Sequence, residues 1–265
     1  MSNSNDLPIG VFDSGVGGLT VLNALAKRWP GEKFLYLADT ARLPYGAKSP
    51  ETIEQYLVQN MKFLLNEGVK AIVVACNSAS TVLLAKQIPS PVPVLNVIEP
   101  GSQTAISQTQ NGRIGIMGTR ATVMSEAYVK TIKKLNSDVQ VYQQACPLLV
   151  PLIEENWIFD PLTNMVLYRY LQSILRENID VLVMGCTHYP ILREAIQKVV
   201  GPGVQLVDAA SGLIKILESS LSLSSDVSRG ETHVACTDLT PHLEKLMHQL
   251  VDPLKPKTIR LVDIA

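Results

Sequence analysis

The stretch IDVLVMGCTHYP, residues 179–190, decides how the chain must fold. Its apolar run shows no alternation, which suits a strand buried on both faces of a parallel sheet. Such a strand delivers the residues after it to its carboxyl end, the edge where open α/β sheets bind ligands. Cys186, Thr187 and His188 are therefore expected in a crevice, and Pro190 is expected to open the next helix, where its missing N–H would be unpaired anyway. Much earlier, VKAIVVACNSAS at residues 69–80 repeats the plan: apolar run, small residue, cysteine, then amide and hydroxyl side chains. One strand-end cysteine is readily read as a small core hydrophobe. A matched pair calls for a chemical reading.

Outward from these two strands the whole chain repeats. IGIMGTRATV (114–123) lines up with IGVFDSGVGG (9–18), and VQVYQQACPLLVP (139–151) with KFLYLADTARLPYG (33–46). VLVMGC (181–186) takes the place of IVVAC (72–76), and VQLVDAASG (204–212) that of VPVLNVIEPG (92–101). Same order and similar spacing predict two copies of one α/β unit related by an approximate twofold. The copies differ where chemistry is expected: Asp13 meets Gly118, while Asn77 and Ser78 meet Thr187 and His188.

The first unit opens with a strand over 8–12, then Asp13, Ser14 and the turn GVGG, then an amphipathic helix to about residue 29. Glycines between a strand and a helix aim backbone N–H groups at an anion, or simply make a tight turn. Asp39, about twenty residues on, stands where a dinucleotide-binding fold puts its ribose acid, but the third fingerprint glycine is missing. Ser49 and Pro50 start a helix in N-cap and first-turn order, with Ile53, Leu57, Met61 and Leu64 on one face and Gly68 at its end. Past Gly212 the sequence predicts a helix, a polar linker SLSSDVSRGE (222–231), a strand THVACT, a helix over 242–250 and a final strand TIRLVDI that extends the first unit's sheet. Cys236, His233, His242 and His248 are read as structural or solvent-facing, since none comes after a site-bearing strand.

At 265 residues, 46% hydrophobic and 18% charged, the chain has the material for one large α/β domain or two small ones sharing a crevice. A net charge of −1 offers no field for nucleic acid, so the expected ligand is a small molecule. The polar start MSNSNDLPIG lacks the regions of a secretory signal and no run approaches membrane-spanning length, which predicts a cytoplasmic protein with no membrane partner. Its four cysteines have no CxxC spacing, which argues for reduced thiols and against a sequence-local metal site.

If the two units face each other, Cys76 and Cys186 approach a bound molecule from opposite sides. One thiolate can then take a proton from a carbon α to a carboxylate while the other thiol returns one to the opposite face. A free thiol titrates near ~8.5, so the attacking sulfur needs a neighbouring base, cation or backbone donor. Asp13 and His188 are the expected helpers. Asn77, Ser78, Thr187 and the backbone after Gly46 offer donors for a carboxylate and for the charge developing beside it. A pyridoxal enzyme would instead need a Schiff-base lysine. Lys48 and Lys70 are nearby in sequence, in no recognisable pyridoxal motif.

DSGVGG at Asp13, DTARLPYG at Asp39, ACNSAS around Cys76, IEPG after Val97, ACPLLVPLIEE from Ala145 and GCTHYP around Cys186 together resemble the aspartate/glutamate racemase family, glutamate racemases above all. The resemblance runs the length of the chain in order. It implies cofactor-independent interconversion of L- and D-glutamate for peptidoglycan, with Cys76 deprotonating the D isomer and Cys186 the L isomer. It further implies Asp13 and His188 as helpers, Glu154 as a further catalytic candidate, and substrate contacts from Asp13, Ser14, Tyr45, Gly46, Asn77, Ser78, Thr187 and His188. Where the family usually has threonine this chain has Ser78, which keeps the hydroxyl and loses the methyl. The implied fold is two pseudo-twofold-related α/β lobes, 1–98 with 210–265 and 99–209, with the active site in the cleft and a homodimer as the assembly. Relatives acting on aspartate or hydantoins leave the substrate to be set by pocket size.

Overall fold

The structure is a computed structural model that describes residues 6–221, 223, 226, 228, 230–251 and 255–264. The first five residues, and residues 222, 224, 225, 227 and 229 of the linker expected from the sequence, lie outside the described residues.

The predicted repeat is real. Strands β1 (Ile9–Asp13), β2 (Lys33–Ala38), β3 (Ala71–Val74) and β4 (Val94–Asn96) lie in the order β2-β1-β3-β4. Strands β5 (Arg113–Gly118), β6 (Gln140–Ala145), β7 (Val181–Gly185) and β8 (Gln205–Val207) form a second sheet in the same order, β6-β5-β7-β8. Every pairing is parallel. As the unbroken apolar run predicts, β7 is buried along its whole length. The tail adds β9 (Glu231–Cys236) and β10 (Thr258–Leu261) to the β2 edge of the first sheet, parallel to it.

Helices cover both faces of each sheet. On the first, α1 (Leu19–Arg28) and α11 (Pro241–Val251) lie on one side, and α2 (Pro50–Asn66) and α3 (Asn77–Lys86) on the other. On the second, α7 (Leu149–Glu154), α8 (Pro161–Leu175) and α9 (Arg193–Val200) face α6 (Ala127–Leu135), with the short α5 (Arg120–Met124) at the carboxyl end of β5. Ser49 caps α2 by accepting from Thr52 N–H at 3.3 Å. That cap is worth ~0.5–2 kcal/mol. The buried Ile53, Leu57, Met61 and Leu64 contribute ~1.5–3 kcal/mol each, so the stripe rather than the cap holds the helix. Pro190 does not open an α-helix directly: a 3₁₀ turn over Tyr189–Leu192 comes first, and α9 begins at Arg193.

The helix after each unit's fourth strand crosses over. Ile98 and Ala105 of α4 (Ile98–Gln108) join the core of the second sheet, while Leu213 and Leu217 of α10 (Ala209–Ser220) join that of the first. The two helices meet where Gly212 leaves no room for a side chain: a Cβ there would stand 2.4 Å from the Pro100 carbonyl oxygen. Both crossings lie beside the carboxyl ends of the strands, so the lobes are joined at the edge where the two sheets present their loops.

Candidate active site

Seven of the candidate side chains sit one to four residues past a strand. Cys76, Asn77 and Ser78 follow β3, Cys186, Thr187 and His188 follow β7, and Ser14 follows β1. All line one narrow cavity together with Tyr45, Gly46 and Glu154. Cys76 and Cys186 are both buried and free, and they enter it from different lobes. Asp13 lies just behind, fully buried. The cavity holds about 20 Å³ of open space, enough for one water-sized sphere, which needs ~10–15 Å³, and far less than an amino acid requires.

Bonds between the lobes hold it shut. Thr187 donates its hydroxyl to Asp13 Oδ2 at 3.1 Å, and Thr20 donates to the Thr187 carbonyl at 2.9 Å. The Ser78 and Thr119 hydroxyls are 2.9 Å apart, and Tyr128 donates to Asn77 Oδ1 at 2.7 Å. That leaves Asn77 Nδ2 buried with no partner among the described residues. Leaving such a donor unpaired costs ~1–3 kcal/mol. A carboxylate would recover it.

The glycine-rich turn does two things the sequence does not separate. Its N–H groups close on the chain's own anion: Gly15 donates to Asp13 Oδ1 at 3.0 Å. Its bare backbone also admits the second lobe, since a Cβ on Gly17 would stand 2.3 Å from His188 Nδ1 and 2.6 Å from Thr187 Oγ1. Gly46 meets Thr119 in the same way, at 2.5 Å from its Cβ. Gly17→Ala is therefore expected to cost about 1–3 kcal/mol in a melting experiment. It should also lower turnover by well over tenfold, because His188 is what must move.

The two thiols have unlike surroundings. Burial, and then the charge of Asp13, push the Cys76 thiol up to about 12, while the Ser14 hydroxyl lies 3.6 Å from its sulfur. On the other side His188 Nδ1 is 3.9 Å from Cys186 Sγ and Nε2 is 3.0 Å from Glu154 Oε1. Burial alone would lower the imidazole, but its hydrogen bonds to Cys186 and Glu154 and their negative charge prevail and raise it to about 10. His188 is thus a cation at neutral pH. Burial raises the Asp13 carboxyl, against the opposing charge of His188 and the bonds from Gly15 and Thr187.

Some residues take places the sequence does not announce. Tyr45 lines the cavity, but its hydroxyl turns away to Asp39 and receives Asn60 Nδ2 at 2.8 Å. Asp39, fully buried, also accepts from Arg42 and from Thr237 Oγ1, so it anchors the loop that carries Tyr45 and Gly46 and is no ribose acid. Thr119 lines the cavity as well; the internal repeat sets it opposite Ser14, a signal that was available. His242, read from the sequence as structural or solvent-facing, bonds through Nε2 to the Glu154 carbonyl at 2.6 Å and ties α11 to the second lobe beside the site. Among the described residues no lysine lines the cavity: Lys48 is exposed, and Lys70 pairs with Glu32 at 2.6 Å near the amino end of β3.

Two parallel sheets in duplicate order, each bringing a cysteine to one shared gap, define a two-lobed α/β protein. The Asp/Glu/Hydantoin racemase family model matches residues 12–217, and the chain belongs to that family. It is 48% identical over 213 residues to the glutamate racemase of Syntrophus aciditrophicus (strain SB), covering 80% of this chain and 79% of that one. Among solved structures it resembles glutamate racemase isoform RacE1 of Bacillus anthracis (TM-score 0.91, 32% identity, 98% of each chain). It also resembles the Francisella tularensis glutamate racemase solved in complex with D-glutamate (TM-score 0.89, 34% identity, 99% of each chain).

Proposed function

We propose that the protein interconverts L- and D-glutamate by a cofactor-independent two-thiol mechanism, supplying D-glutamate for peptidoglycan. The observation that carries this reading is the convergence of Cys76 and Cys186, from equivalent strand ends of the two repeated lobes, on one gap. In the L to D direction Cys186, with the His188 cation beside it, removes the α proton. Cys76, a protonated thiol at neutral pH, delivers a proton to the opposite face. The reverse direction starts with Cys76 as base, and Asp13 is the neighbouring carboxylate that assists its deprotonation. Asn77, Ser78, Ser14, Thr187 and the backbone at Tyr45 and Gly46 hold the substrate carboxylates, and Glu154 acts through His188 by fixing its ring.

Because the gap is smaller than glutamate, the lobes, 1–98 with 210–265 and 99–209, part to admit substrate and close for chemistry. Closure strips water from the thiols and strengthens every charge in the site. The reading assigns the enzyme to the cytoplasm as a homodimer with no nucleic-acid or membrane partner; among the described residues no helix is long and apolar enough to cross a membrane. The deciding experiment is solvent-deuterium exchange at Cα of glutamate against aspartate with purified protein. Glutamate should exchange at least tenfold faster, and a preference for aspartate would sink the substrate assignment.

His188 also gives a pH signature. A histidine raised above its unfolded value of ~6.5 stabilises the fold fully below that pH, and the contribution disappears as pH rises through the folded value of about 10. Melting temperature is therefore expected to fall from pH 6.5 to 10. Glu154→Gln, which keeps an acceptor but removes one of the negative charges that raise the imidazole, should flatten the decline.

A further inference from the structure

The second lobe carries an apolar face that no described residue of the protomer covers. Phe159 is 86% exposed, Met165 68%, Tyr168 58%, Leu148 54%, Trp157 46% and Leu162 43%. Leu162, Met165 and Tyr168 share one face of α8; Trp157 and Phe159 precede it, and Leu148 sits beside it with its N–H directed at the Tyr170 hydroxyl. At ~200 Å² a ring, the three aromatics alone expose about 400 Å². With the other three side chains the face reaches the upper end of what monomers leave open, ~300–600 Å², and much of the ~800 Å² per partner that a stable interface buries.

We propose that this face is where two copies of the chain meet, with α8 packed antiparallel against α8 of the partner about a twofold axis at Met165. The inference gives a surface to the homodimer of the functional reading. Its warrant is self-complementarity, the requirement an isologous contact imposes. The apolar spacing is symmetric about Met165, so Leu162 meets Tyr168 of the partner subunit and Met165 meets its own counterpart. Charge obeys the same symmetry. The N-cap of α8 is the acid Asp160, and its later half carries the base Arg169, with Arg176 as its C-cap. Antiparallel packing sets Arg169 beside Asp160 of the partner subunit, where a parallel arrangement would set like charges together. A net charge of −1 raises no general barrier to two copies meeting.

The interface lies on the outer side of the segment whose inner side carries Val150 and Glu154 into the cavity. Each protomer still holds every site residue named above, so assembly buttresses the site without completing it.

The test is sedimentation of the full chain over a range of concentrations, combined with cysteine cross-linking; the four native thiols are buried and stay out of the way. The chain should dimerise, and Met165→Asp, which sets two carboxylates on the axis, should associate about 100-fold more weakly while keeping the native melting profile and racemase turnover within a few-fold. Under diamide, Met165→Cys should form a covalent dimer. Leu162→Cys and Tyr168→Cys should cross-link chiefly when mixed, and Val58→Cys on α2, 45% exposed, should not. A wild-type chain that stays monomeric, a Met165→Asp variant that dimerises normally, or cross-linking no better than at Val58 would each overturn the surface. A monomer that racemises glutamate would refute the interface alone, and a dimer inert towards glutamate the functional reading alone.

Discussion

Cys76→Ser and Cys186→Ser are each expected to lower glutamate racemisation by about 10³-fold or more while leaving a folded protein. A positioned acid or base contributes ~10²–10⁴-fold, and a serine hydroxyl cannot replace a thiol as a proton carrier near neutral pH. The residual chemistry should be one-handed. With Cys186 gone, Cys76 can still exchange the α proton of D-glutamate with solvent, so deuterium enters that isomer and not its mirror image. Cys76→Ser should show the converse. The double variant should exchange neither, and circular dichroism separates loss of chemistry from loss of fold. A single variant that racemises within tenfold of wild type would mean that the two sulfurs do not divide the work.

Asp39→Ala is expected to be the most damaging change away from the chemistry. Fully buried, Asp39 accepts from Arg42 Nε at 2.9 and 2.8 Å, from Thr237 at 3.0 Å, from Asn60 at 3.4 Å and from the Tyr45 hydroxyl. Its loss strands a guanidinium only 19% exposed beside two orphaned donors. Removing one partner of such a pair typically costs ~3–5 kcal/mol. For a chain of this size that is a fall in melting temperature of about 10 °C. Asp39→Asn, which keeps an acceptor, should lose less. A shift of only two or three degrees for the alanine variant would show that the loop bearing Tyr45 and Gly46 is held by something else.

Both expectations rest on residues that the sequence made legible to different degrees. The repeat foretold two copies of one α/β unit, because unbroken apolar runs and their spacing are local properties that parallel sheets preserve; the order of the strands within each sheet came from the structure. The same alignment brought Cys76 and Cys186 to equivalent strand ends, and it could have found Thr119 opposite Ser14. Asp39 was harder to read, since an acid after the second strand looks alike whether it meets a ribose or a tyrosine 6 residues further along the same loop. The His242 contact to Glu154 joins residues 88 positions apart through the packing of a terminal helix, and no local pattern encodes it. The glycines of the first turn were visible, yet their use was not: what Gly17 accommodates is a histidine from the other lobe.

The unequal neighbourhoods of the two sulfurs carry a kinetic consequence. Mirror-image substrates have equal free energies in water, so the equilibrium constant is one, and kcat/KM must be identical in the two directions whatever the protein does. A carboxylate beside one sulfur and an imidazolium beside the other can therefore alter only how that shared quotient is split. If one isomer turns over faster at saturation, its KM must be higher by the same factor, and full progress curves run from either enantiomer would reveal the partition.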